Sequence, residues 1–392
     1  GYRFKTRSDS EVILHLYEAL GDDFVDRLEG MFDFALWDSR RRRLLVGRDQ
    51  LGVKPLYLYR SATMIAFATE AKALLTLPEV SVDIDRSVLV DYLHLGYVSA
   101  PHSLFKGITK LPPATLLEIA EHGVQQRRYW RLPGAIDAQR SEQDWIVAIR
   151  EAIEQAVHKQ MVSDVPIGAF LSGGVDSSAV VAFMARHSDQ PIRTYAIGFE
   201  GGKAEALYNE LPYARQVARQ FGTEHREIVV RPDVVDLLPK LIWHMDEPIA
   251  DSASITTYLV SKFAREDVKV ILSGVGGDEL FGGYRRYLGD HYLAKLERFP
   301  APLVRAASNV VQRLPSDRHG RLSNLSRLAR EFLGSMDLTP DERYRRYVQV
   351  MSRERARQTI AGLVTEGPDS LGAAFADAPS TDAVARLFAV DA

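Results

Sequence analysis

Apolar residues in the second half of the chain form short continuous runs that alternate with segments of helical spacing. Four runs predict strands: residues 165–171, 193–199, 227–230 and 268–272. Three intervening segments predict helices: residues 213–221, 234–244 with a break at Pro239, and 254–265. Because strands alternate with helices, the pattern indicates an α/β fold with a doubly wound parallel sheet. Ligands in such sheets bind at the carboxyl ends of the strands.

The first third of the chain has a different pattern. Ser10–Leu20 shows helical spacing and ends at Gly21. Short apolar runs then predict an antiparallel sheet, with strands at residues 31–37, 44–47, 56–59 and 65–68. The basic run Ser39–Arg43 favours a solvated hairpin turn over a nucleic-acid surface, because no aromatic residues interleave the charges.

A polar segment at 133–140 separates the two patterns, so we expect one domain at 1–130 and another at 141–392. Ser141 and Asp144 have the spacing of a helix capping box. The helix that follows is expected to bury an apolar stripe: Trp145, Ile149, Ala152, Ile153 and Ala156. Residues 290–392 predict further helices with solvated arginines: Arg298, Arg305, Arg313, Arg318 and Arg321.

The composition narrows the range of functions. A length of 392 residues suggests two or more domains, and the net charge of −3 gives no global field for nucleic acid or an anionic membrane. The chain has no cysteine, which excludes disulfides, thiolate metal sites and thiol nucleophiles within it. No apolar run approaches the ~18 residues of a membrane helix and no signal peptide is visible. We therefore expect a cytoplasmic protein without nucleic-acid or membrane partners.

One stretch carries the strongest candidate chemistry: Leu171-Ser172-Gly173-Gly174-Val175-Asp176-Ser177-Ser178. It lies between a predicted strand and a helix that opens at the serines, so backbone N–H groups and a helix N-terminus converge and favour an anion. The two adjacent glycines allow a phosphate to approach the backbone closely. Asp176 would repel that phosphate unless Mg²⁺ lay between them. The alternative is an ordinary glycine turn with a serine cap.

Two other loops fall at the same predicted sheet edge. Residues 273–284 are rich in glycine, and Asp278 in this loop is expected to share a Mg²⁺ with Asp176. The alternative for this loop is a flexible lid without a ligand. The third loop supplies three acids: Asp246, Glu247 and Asp251. They either orient an amino-acid substrate or cap helices around a proline turn.

Four segments of the first third resemble class II glutamine amidotransferase domains: residues 6–14, 28–38, 47–57 and 67–74. The resemblance implies part of an antiparallel α+β domain of the Ntn type, in which an N-terminal cysteine hydrolyses glutamine and Asp9 holds the glutamine α-amino group. Without the resemblance, Asp9 would be read as a helix cap. Because the chain contains no cysteine, we assign no catalytic residue and expect no glutamine hydrolysis. The sequence looks cut at both ends.

From about Trp130 onward the chain resembles asparagine synthetases, and its first glycine loop resembles the pyrophosphate loop of ATP pyrophosphatases rather than the Walker pattern. The resemblance implies a Rossmann-like ATP-binding domain with a helical C-terminal extension. Its implied ATP-binding residues are Leu171, Ser172, Gly173, Gly174, Asp176, Ser177, Ile197, Ser273 and Gly274. Its implied Mg²⁺ ligands are Asp176 and Asp278.

The implied reaction converts aspartate to asparagine through an acyl-adenylate. Ammonia comes from glutamine in intact relatives, and free ammonia is the expected source for this chain. Val275 stands where many relatives carry an acid that is tied to adenylation. Two alternatives therefore stay open: a β-lactam synthetase-like enzyme that closes an amide internally, and a paralogue that binds nucleotide without turnover. A tRNA-modifying pyrophosphatase fits less well, because its RNA surface should be basic. A homodimer also stays open.

Overall fold

The computed structural model describes residues 1–200, 209–230, 234–296, 299–312, 326–327, 329–330, 332–363, 367–379 and 383–391. The strands are β1 Asp33–Asp38, β2 Arg43–Arg48, β3 Tyr57–Arg60, β4 Ile65–Ala68, β5 Ile108–Lys110, β6 Thr115–Ala120, β7 Gly123–Arg128, β8 Ile167–Phe170, β9 Arg193–Phe199, β10 Glu224–Val230 and β11 Val270–Leu272. The helices up to the parallel sheet's end are α1 Ser10–Leu20, α2 Ala71–Leu74, α3 Leu89–Leu95, α4 Glu142–Gln160, α5 Val175–Arg186, α6 Leu211–Phe221, α7 Val234–Met245 and α8 Ala253–Ala264. The later ones are α9 Gly277–Phe281, α10 Arg285–Leu296, α11 Ala301–Val311, α12 Pro340–Val348, α13 Arg353–Thr359, α14 Ser370–Asp377 and α15 Ala383–Asp391. Four of the tail arginines lie outside the described residues: Arg298, Arg313, Arg318 and Arg321.

The first half of the chain forms two antiparallel sheets rather than the single sheet predicted. The strand order is β1-β2-β6-β7 in one sheet and β4-β3-β5 in the other. Both faces of β2 are buried, since Leu45 packs with Phe24 while Val46 packs with Leu58 of the second sheet. Strands β5 to β7 lie in a region with several prolines, in which the sequence pattern predicted no strands. The pairing of β6 with β2 and of β5 with β3 joins residues distant in sequence, and β7 pairs with β6.

The connection between β1 and β2 is a tight hairpin in which Asp38 pairs with Arg43. The solvated hairpin turn predicted at Ser39–Arg43 is confirmed for residues 39–42, which are exposed. Arg43 itself is not solvated, because it is 6% exposed and its guanidinium donates to the carboxylates of Asp22 and Glu118. The two acids compensate a charge that the strand turns toward the interior.

The second half of the chain is built on a parallel sheet with the order β10-β9-β8-β11. Helices α5 and α6 cover one face, where Val181 and Ala214 pack with Leu171. Helix α8 covers the other face, where Val260 packs with Tyr195. Helices on both faces make this sheet doubly wound, which confirms the predicted fold class.

Helix α7 runs without a break through Pro239. A proline removes one backbone hydrogen bond and usually kinks or ends a helix. Here Leu241 beyond the proline is buried, and the ring of His244 lies 6.3 Å from the ring of Tyr258 on α8. Because packing holds the turns after the proline, the predicted break is wrong.

Helix α4 begins with the predicted capping box, in which Ser141 and Asp144 bond each other's backbone N–H groups. The predicted buried stripe is wrong for four of its five residues, because only Ile153 is half-buried and packs against the core of the second half. Trp145 is 38% exposed and Ile149 is 37% exposed, and the one buried residue of this helix is Val157 near its end. Helical spacing places these side chains on one face, but only the last turns of that face meet the parallel sheet.

The described helices after the parallel sheet pack against both halves of the chain. Leu95 on α3 shares a hydrophobic cluster with Tyr344 and Phe375. Nearby, the carboxylate of Asp91 pairs with Arg353 at 2.7 Å. The two halves therefore pack against each other through this cluster and ion pair. Among the described residues, no helix has the length and apolar character that crossing a bilayer requires.

Candidate functional site

The parallel sheet changes its direction of growth between β8 and β11. From β8 the chain builds outward through β9 to β10, and it then returns to place β11 on the other side of β8. The connections after β8 and β11 therefore diverge, which opens a crevice at the carboxyl ends of these strands. The two glycine loops predicted from the sequence are the two loops that border this crevice.

The loop after β8 depends on glycine at position 173. Gly173 has a φ of +84°, and a Cβ there would lie 2.5 Å from the backbone carbonyl carbon of Tyr213 and 2.6 Å from the backbone nitrogen of Ala214. Gly174 then occupies the N-cap of α5, which begins at Val175 rather than at the serines. The first N–H groups of an α-helix have no intrahelical acceptors, so this turn presents free donors to the crevice.

Serine hydroxyls close this loop on itself. The Oγ atoms of Ser172 and Ser177 lie 2.9 Å apart, and the N–H of Gly174 donates to Ser172 Oγ over 3.2 Å. The first two serines thus fix the shape of the loop. Ser178 Oγ is buried without a hydrogen-bond partner among the described atoms, an arrangement that costs free energy unless a ligand or water satisfies it.

The second glycine loop lies directly on the first turn of α5. A Cβ on Gly274 would lie 2.6 Å from the backbone nitrogen of Ser177, and one on Gly277 would lie 2.5 Å from Cγ of Asp176. Gly276, with a φ of +98°, then turns the chain into the short helix α9, which the sequence did not predict. Because neither contact leaves room for a side chain, the two loops form one structure.

The site concentrates negative charge where these loops meet. Burial, and after it the carboxylates of Asp278 and Glu279, raise the pKa of Asp176 above its usual value. The structure therefore brings Asp176 and Asp278 into the same field, as the sequence suggested. Like charges at short range disfavour ionisation of each other, and a cation between them relieves that repulsion.

The donor set fits a hard divalent cation. Mg²⁺ uses one or two protein carboxylates and takes its other ligands from phosphate and water, and Asp176 and Asp278 provide two carboxylates. In the ranges that the structure describes, no cluster of three or more His, Cys, Asp or Glu side chains has the arrangement of a metal site. Two aspartates suit an ion that arrives with a phosphate ligand.

The remaining predicted residues lie at the same edge of the sheet. Leu171 follows β8 directly, is 1% exposed, and donates its N–H to the carbonyl of Tyr195 over 2.9 Å. Since Phe170 pairs with Tyr195, Ile197 lies two residues further toward the carboxyl edge. Ser273 is the first residue after β11. Leu171 packs in the core, so it faces the crevice with its backbone.

The second loop also contains Val275, which has no ionisable or polar side chain, and a hydrogen-bonded pair, Tyr284 and Glu279, that the sequence did not predict. Val275 is 92% exposed at the loop. Next to Asp278, the hydroxyl of Tyr284 donates to Glu279 over 2.5 Å. Burial and the Glu279 carboxylate raise the pKa of Tyr284 to about 12, so the hydroxyl keeps its proton at neutral pH. The signal was an acid five residues before a tyrosine in a glycine-rich loop.

Tyr284 also lines a crevice of about 480 Å³ beside the glycine loop. Asp251 and Arg286 place opposite charges in its lining. Arg286 lies with its guanidinium carbon 3.7 Å from the ring centre of Tyr284, and it pairs with Asp391 at 2.9 Å. Since Asp391 also lines the crevice, the lining combines two acids with a paired cation, which suits a small polar ligand.

The acidic loop at 246–251 serves neither predicted role as a whole. Asp246 accepts from the N–H of Ala71 over 2.7 Å, so its carboxylate is engaged by the first half of the chain. Glu247 is engaged in the same way by the first half. The hypothesis that these two acids orient a substrate is therefore wrong. Asp251 does cap a helix, since it accepts from the N–H of Ala253 over 2.9 Å.

Asp9 lies at the N-cap position of α1, but its side chain makes no capping bond. Glu11 holds the preceding turn in place, because its carboxylate accepts from the N–H groups of Lys5 and Thr6 over 2.7 Å each. The hydroxyl of Thr6, followed by the N–H of Lys5, lowers the pKa of Glu11 to about 2. The role of Asp9 as a glutamine ligand stays a prediction.

Two family models match the chain: Asparagine synthase over residues 148–392 and Glutamine amidotransferase domain over residues 1–130. A putative asparagine synthetase (glutamine-hydrolyzing) of Mycobacterium tuberculosis (strain ATCC 25618 / H37Rv) is 34% identical over 404 residues, covering 100% of this chain and 59% of the relative. Asparagine synthetase (glutamine-hydrolyzing) 1 of Bacillus subtilis (strain 168) is 34% identical over 322 residues, covering 82% of this chain and 50% of the relative. This chain therefore spans little more than half the length of either relative.

A solved NH3-dependent NAD synthetase from Campylobacter jejuni aligns with 35% of this chain and 60% of its own, at 17% identity and a TM-score of 0.25. A TM-score of 0.25 does not establish a shared fold. The family models, in contrast, match the same two segments whose motifs carried the resemblances, which confirms the interpretation of the sequence. Since one of these models matches more than half of its residues, the chain belongs to the asparagine synthase family.

Proposed function

We propose that this chain carries the adenylating site of an ATP-dependent amide ligase that makes asparagine from aspartate. The observation that supports this most directly is the meeting of two glycine loops at the switch point of the parallel sheet, with Asp176 in the field of Asp278. Backbone donors and carboxylates in one crevice suit a nucleotide triphosphate with its metal, because each phosphate charge then has a partner.

ATP is proposed to bind along the carboxyl edge of the sheet. Leu171 and Ile197 flank the adenosine, together with the backbone of Ser273 and Gly274. The phosphates rest on the first loop, held by Ser172, Gly173, Gly174 and Ser177 and by the N-terminus of α5. The closeness of Gly274 to the first turn of α5 supports this arrangement, since a phosphate there would contact both loops.

The proposed reaction has two steps. The side-chain carboxylate of aspartate attacks the α-phosphorus of ATP, an O–P bond forms, the bond to the bridging oxygen breaks, and pyrophosphate leaves. Free N–H groups at the start of α5 stabilise the charge that develops on pyrophosphate. Mg²⁺, when it is held by Asp176 and Asp278, would neutralise part of the phosphate charge. Ammonia then attacks the acyl carbon of the β-aspartyl adenylate, and AMP leaves as the amide forms.

Glutamine is proposed as the ammonia source of the whole protein, with Asp9 holding its α-amino group. This chain has no cysteine, so free ammonia is the source that it can use by itself. We also propose that residues 1–130 and 141–392 are separate domains, joined at the polar segment between them. Asparagine formation by this chain with glutamine in place of ammonium would contradict the proposal about ammonia.

The test is release of pyrophosphate from ATP in the presence of aspartate, Mg²⁺ and ammonium, with asparagine measured in parallel. Asp176→Asn is expected to lower the rate at least 100-fold, because it removes one proposed metal ligand. Asp164→Asn is the matched control, since Asp164 is exposed before the amino end of β8. Pyrophosphate release that survives in Asp176→Asn, or that never occurs in the parent chain, rejects the proposal.

A second function is favoured by one observation, the exposed Val275 in the second loop. A valine supplies neither charge nor a proton acceptor for adenylation. The chain would then bind ATP without turnover, or adenylate a longer carboxylate that closes an amide on itself. Binding of ATP without pyrophosphate release from any carboxylate supports the first version. Pyrophosphate release with longer amino carboxylates but not with aspartate supports the second.

A further inference from the structure

Asp246 and Glu247 are consecutive acids between α7 and α8, and both side chains are buried although the proposed chemistry does not use them. The side chain of Asp246 is 4% exposed and that of Glu247 is 6% exposed. Carboxylates are rarely buried unless they are paired, because leaving water costs several kcal/mol per ion in the absence of a partner. Among the described residues, their hydrogen-bond and ion-pair partners come from the first half of the chain.

Asp246 joins the start of helix α2. One carboxylate oxygen accepts from the N–H of Ala71 over 2.7 Å, and the other lies 2.6 Å from Nζ of Lys72. Asp246 has a φ of +65°, a backbone conformation that residues other than glycine rarely adopt. The loop therefore takes an unfavourable backbone conformation while its side chain is seated on α2.

Glu247 makes a second connection to the first half. Its Oε1 accepts from the N–H of Leu104 over 2.6 Å, and its Oε2 forms a short ion pair with Lys110. The same ammonium group of Lys110 donates to the carbonyl of Val98 over 2.6 Å. Lys110 lies on β5, so the contact ties the loop to the second antiparallel sheet.

The next residues of the loop form one wall of the 480 Å³ crevice. Ile249, Ala250 and Asp251 line it, together with Tyr284 of the glycine loop. The N–H of Ala250 donates to the carbonyl of Gly96 over 2.8 Å, which is a third connection to the first half. The wall of a crevice beside the proposed adenylation site is thus attached to the amidotransferase part.

We propose that Asp246 and Glu247 are positioning residues through which the amidotransferase part sets the shape of this crevice. We take the ligand of this crevice to be the amino-acid substrate, and that part of the proposal rests on the proposed function. Three anchors in five residues fix the wall at Ile249–Asp251 relative to Tyr284. Removing the Glu247 charge takes the acid away from Lys110, whose side chain is only 16% exposed. Removing the Asp246 charge takes away one of the two acids that pair with Lys72, so the loss of either acid loosens the wall.

Hydrogen exchange of backbone amides in the full chain tests the anchor. Asp246→Asn and Glu247→Gln are each expected to speed exchange of the Ala250 amide at least tenfold, with strands β8 and β9 unchanged. Glu70→Gln is the matched control, because Glu70 also pairs with Lys72 but is 58% exposed. Should Glu247→Gln fail to fold, Lys72→Gln removes the charge partner of Asp246 with the same expectation. An unchanged Ala250 amide, or equal acceleration across the parallel sheet, overturns the proposal.

Kinetics separate positioning from a merely structural role. If the parent chain releases pyrophosphate, Glu247→Gln is expected to raise KM for aspartate at least tenfold, with KM for ATP within twofold. A faster Ala250 amide with an unchanged KM for aspartate overturns the assignment as positioning residues. A parent chain without pyrophosphate release rejects the proposed function instead, and the exchange result then decides the anchor by itself.

Discussion

Gly277 lies so close to Asp176 that a Cβ at position 277 would fall 2.7 Å from one carboxylate oxygen and 3.0 Å from the other. These residues are about one hundred positions apart in sequence and belong to different strand-helix units. The contact fixes the direction of the Asp176 carboxylate from the opposite loop. The orientation of this acid therefore depends on the absence of a side chain at position 277.

Gly277→Ala tests this dependence. The added methyl group overlaps the Asp176 carboxylate, so either the acid rotates or the second loop moves away. We expect affinity for ATP with Mg²⁺ to fall at least tenfold, as measured by isothermal titration calorimetry. Gly277 begins a five-residue helix at the surface of the domain, so the thermal midpoint is expected to change little. Unchanged affinity for ATP would show that the contact does not matter for binding.

Asp176→Asn is expected to stabilise the chain at neutral pH. Burial and neighbouring carboxylates raise the pKa of Asp176, so the folded state favours the protonated acid. The stability that this preference contributes is complete below the usual pKa near 3.8 and is lost as pH rises through the raised value. An amide removes the repulsion, and we expect Tm at pH 7 to rise by roughly 1–2 °C.

The pH dependence distinguishes this effect from a general one. The gain in Tm should shrink as pH falls toward the usual range of aspartic acid, because the wild-type acid is then protonated as well. Asp164→Asn, at a residue that lies before the amino end of β8, should leave Tm unchanged at both values of pH. A lower Tm for Asp176→Asn at pH 7 would mean that the carboxylate stabilises the fold.

Most of the correct predictions concern features that are formed by residues close together in the sequence. The first loop can be identified because an apolar strand, Gly173 and the start of α5 follow one another directly. The capping box of Ser141 and Asp144 likewise joins residues three positions apart. The alternation of strands and helices predicts parallel pairing, and parallel pairing brings the carboxyl ends of strands to one edge. The meeting of the two glycine loops follows from this general rule.

Contacts between distant residues account for what the sequence could not predict. From the sequence, Glu247 is predicted to be an acid near the site. Its ion pair with Lys110 joins residues 137 positions apart, and it is visible only in the folded chain. Trp145 and Ile149 have the spacing of a buried stripe, yet they are exposed. Spacing specifies which side chains share a helix face, but it does not specify what packs against that face.

Glu11 is expected to titrate at an unusually low pH. The hydroxyl of Thr6 and the N–H of Lys5 hold its pKa at about 2, so its contribution to stability is complete above the usual value of 4.5 and is lost as pH falls through about 2. A carboxyl titration by NMR measures this directly. Thr6→Val should raise the pKa of Glu11, whereas Ser10→Ala, which removes a contact to Asp9 only, should not.

Arg48→Met is expected to destabilise the amidotransferase part of the chain. The Arg48 side chain donates to three carbonyls that close the loop after β2: Lys54, Gly52 and Leu111. Burial lowers the pKa of Arg48, and the nearby carboxylate of Asp49 offsets part of this effect. Leaving these acceptors unpaired should lower the free energy of unfolding by about 3 kcal/mol, as measured by urea denaturation. Arg60→Met, at an exposed strand end, is the control and should stay within about 0.5 kcal/mol. Equal stability of both variants would contradict the role of Arg48.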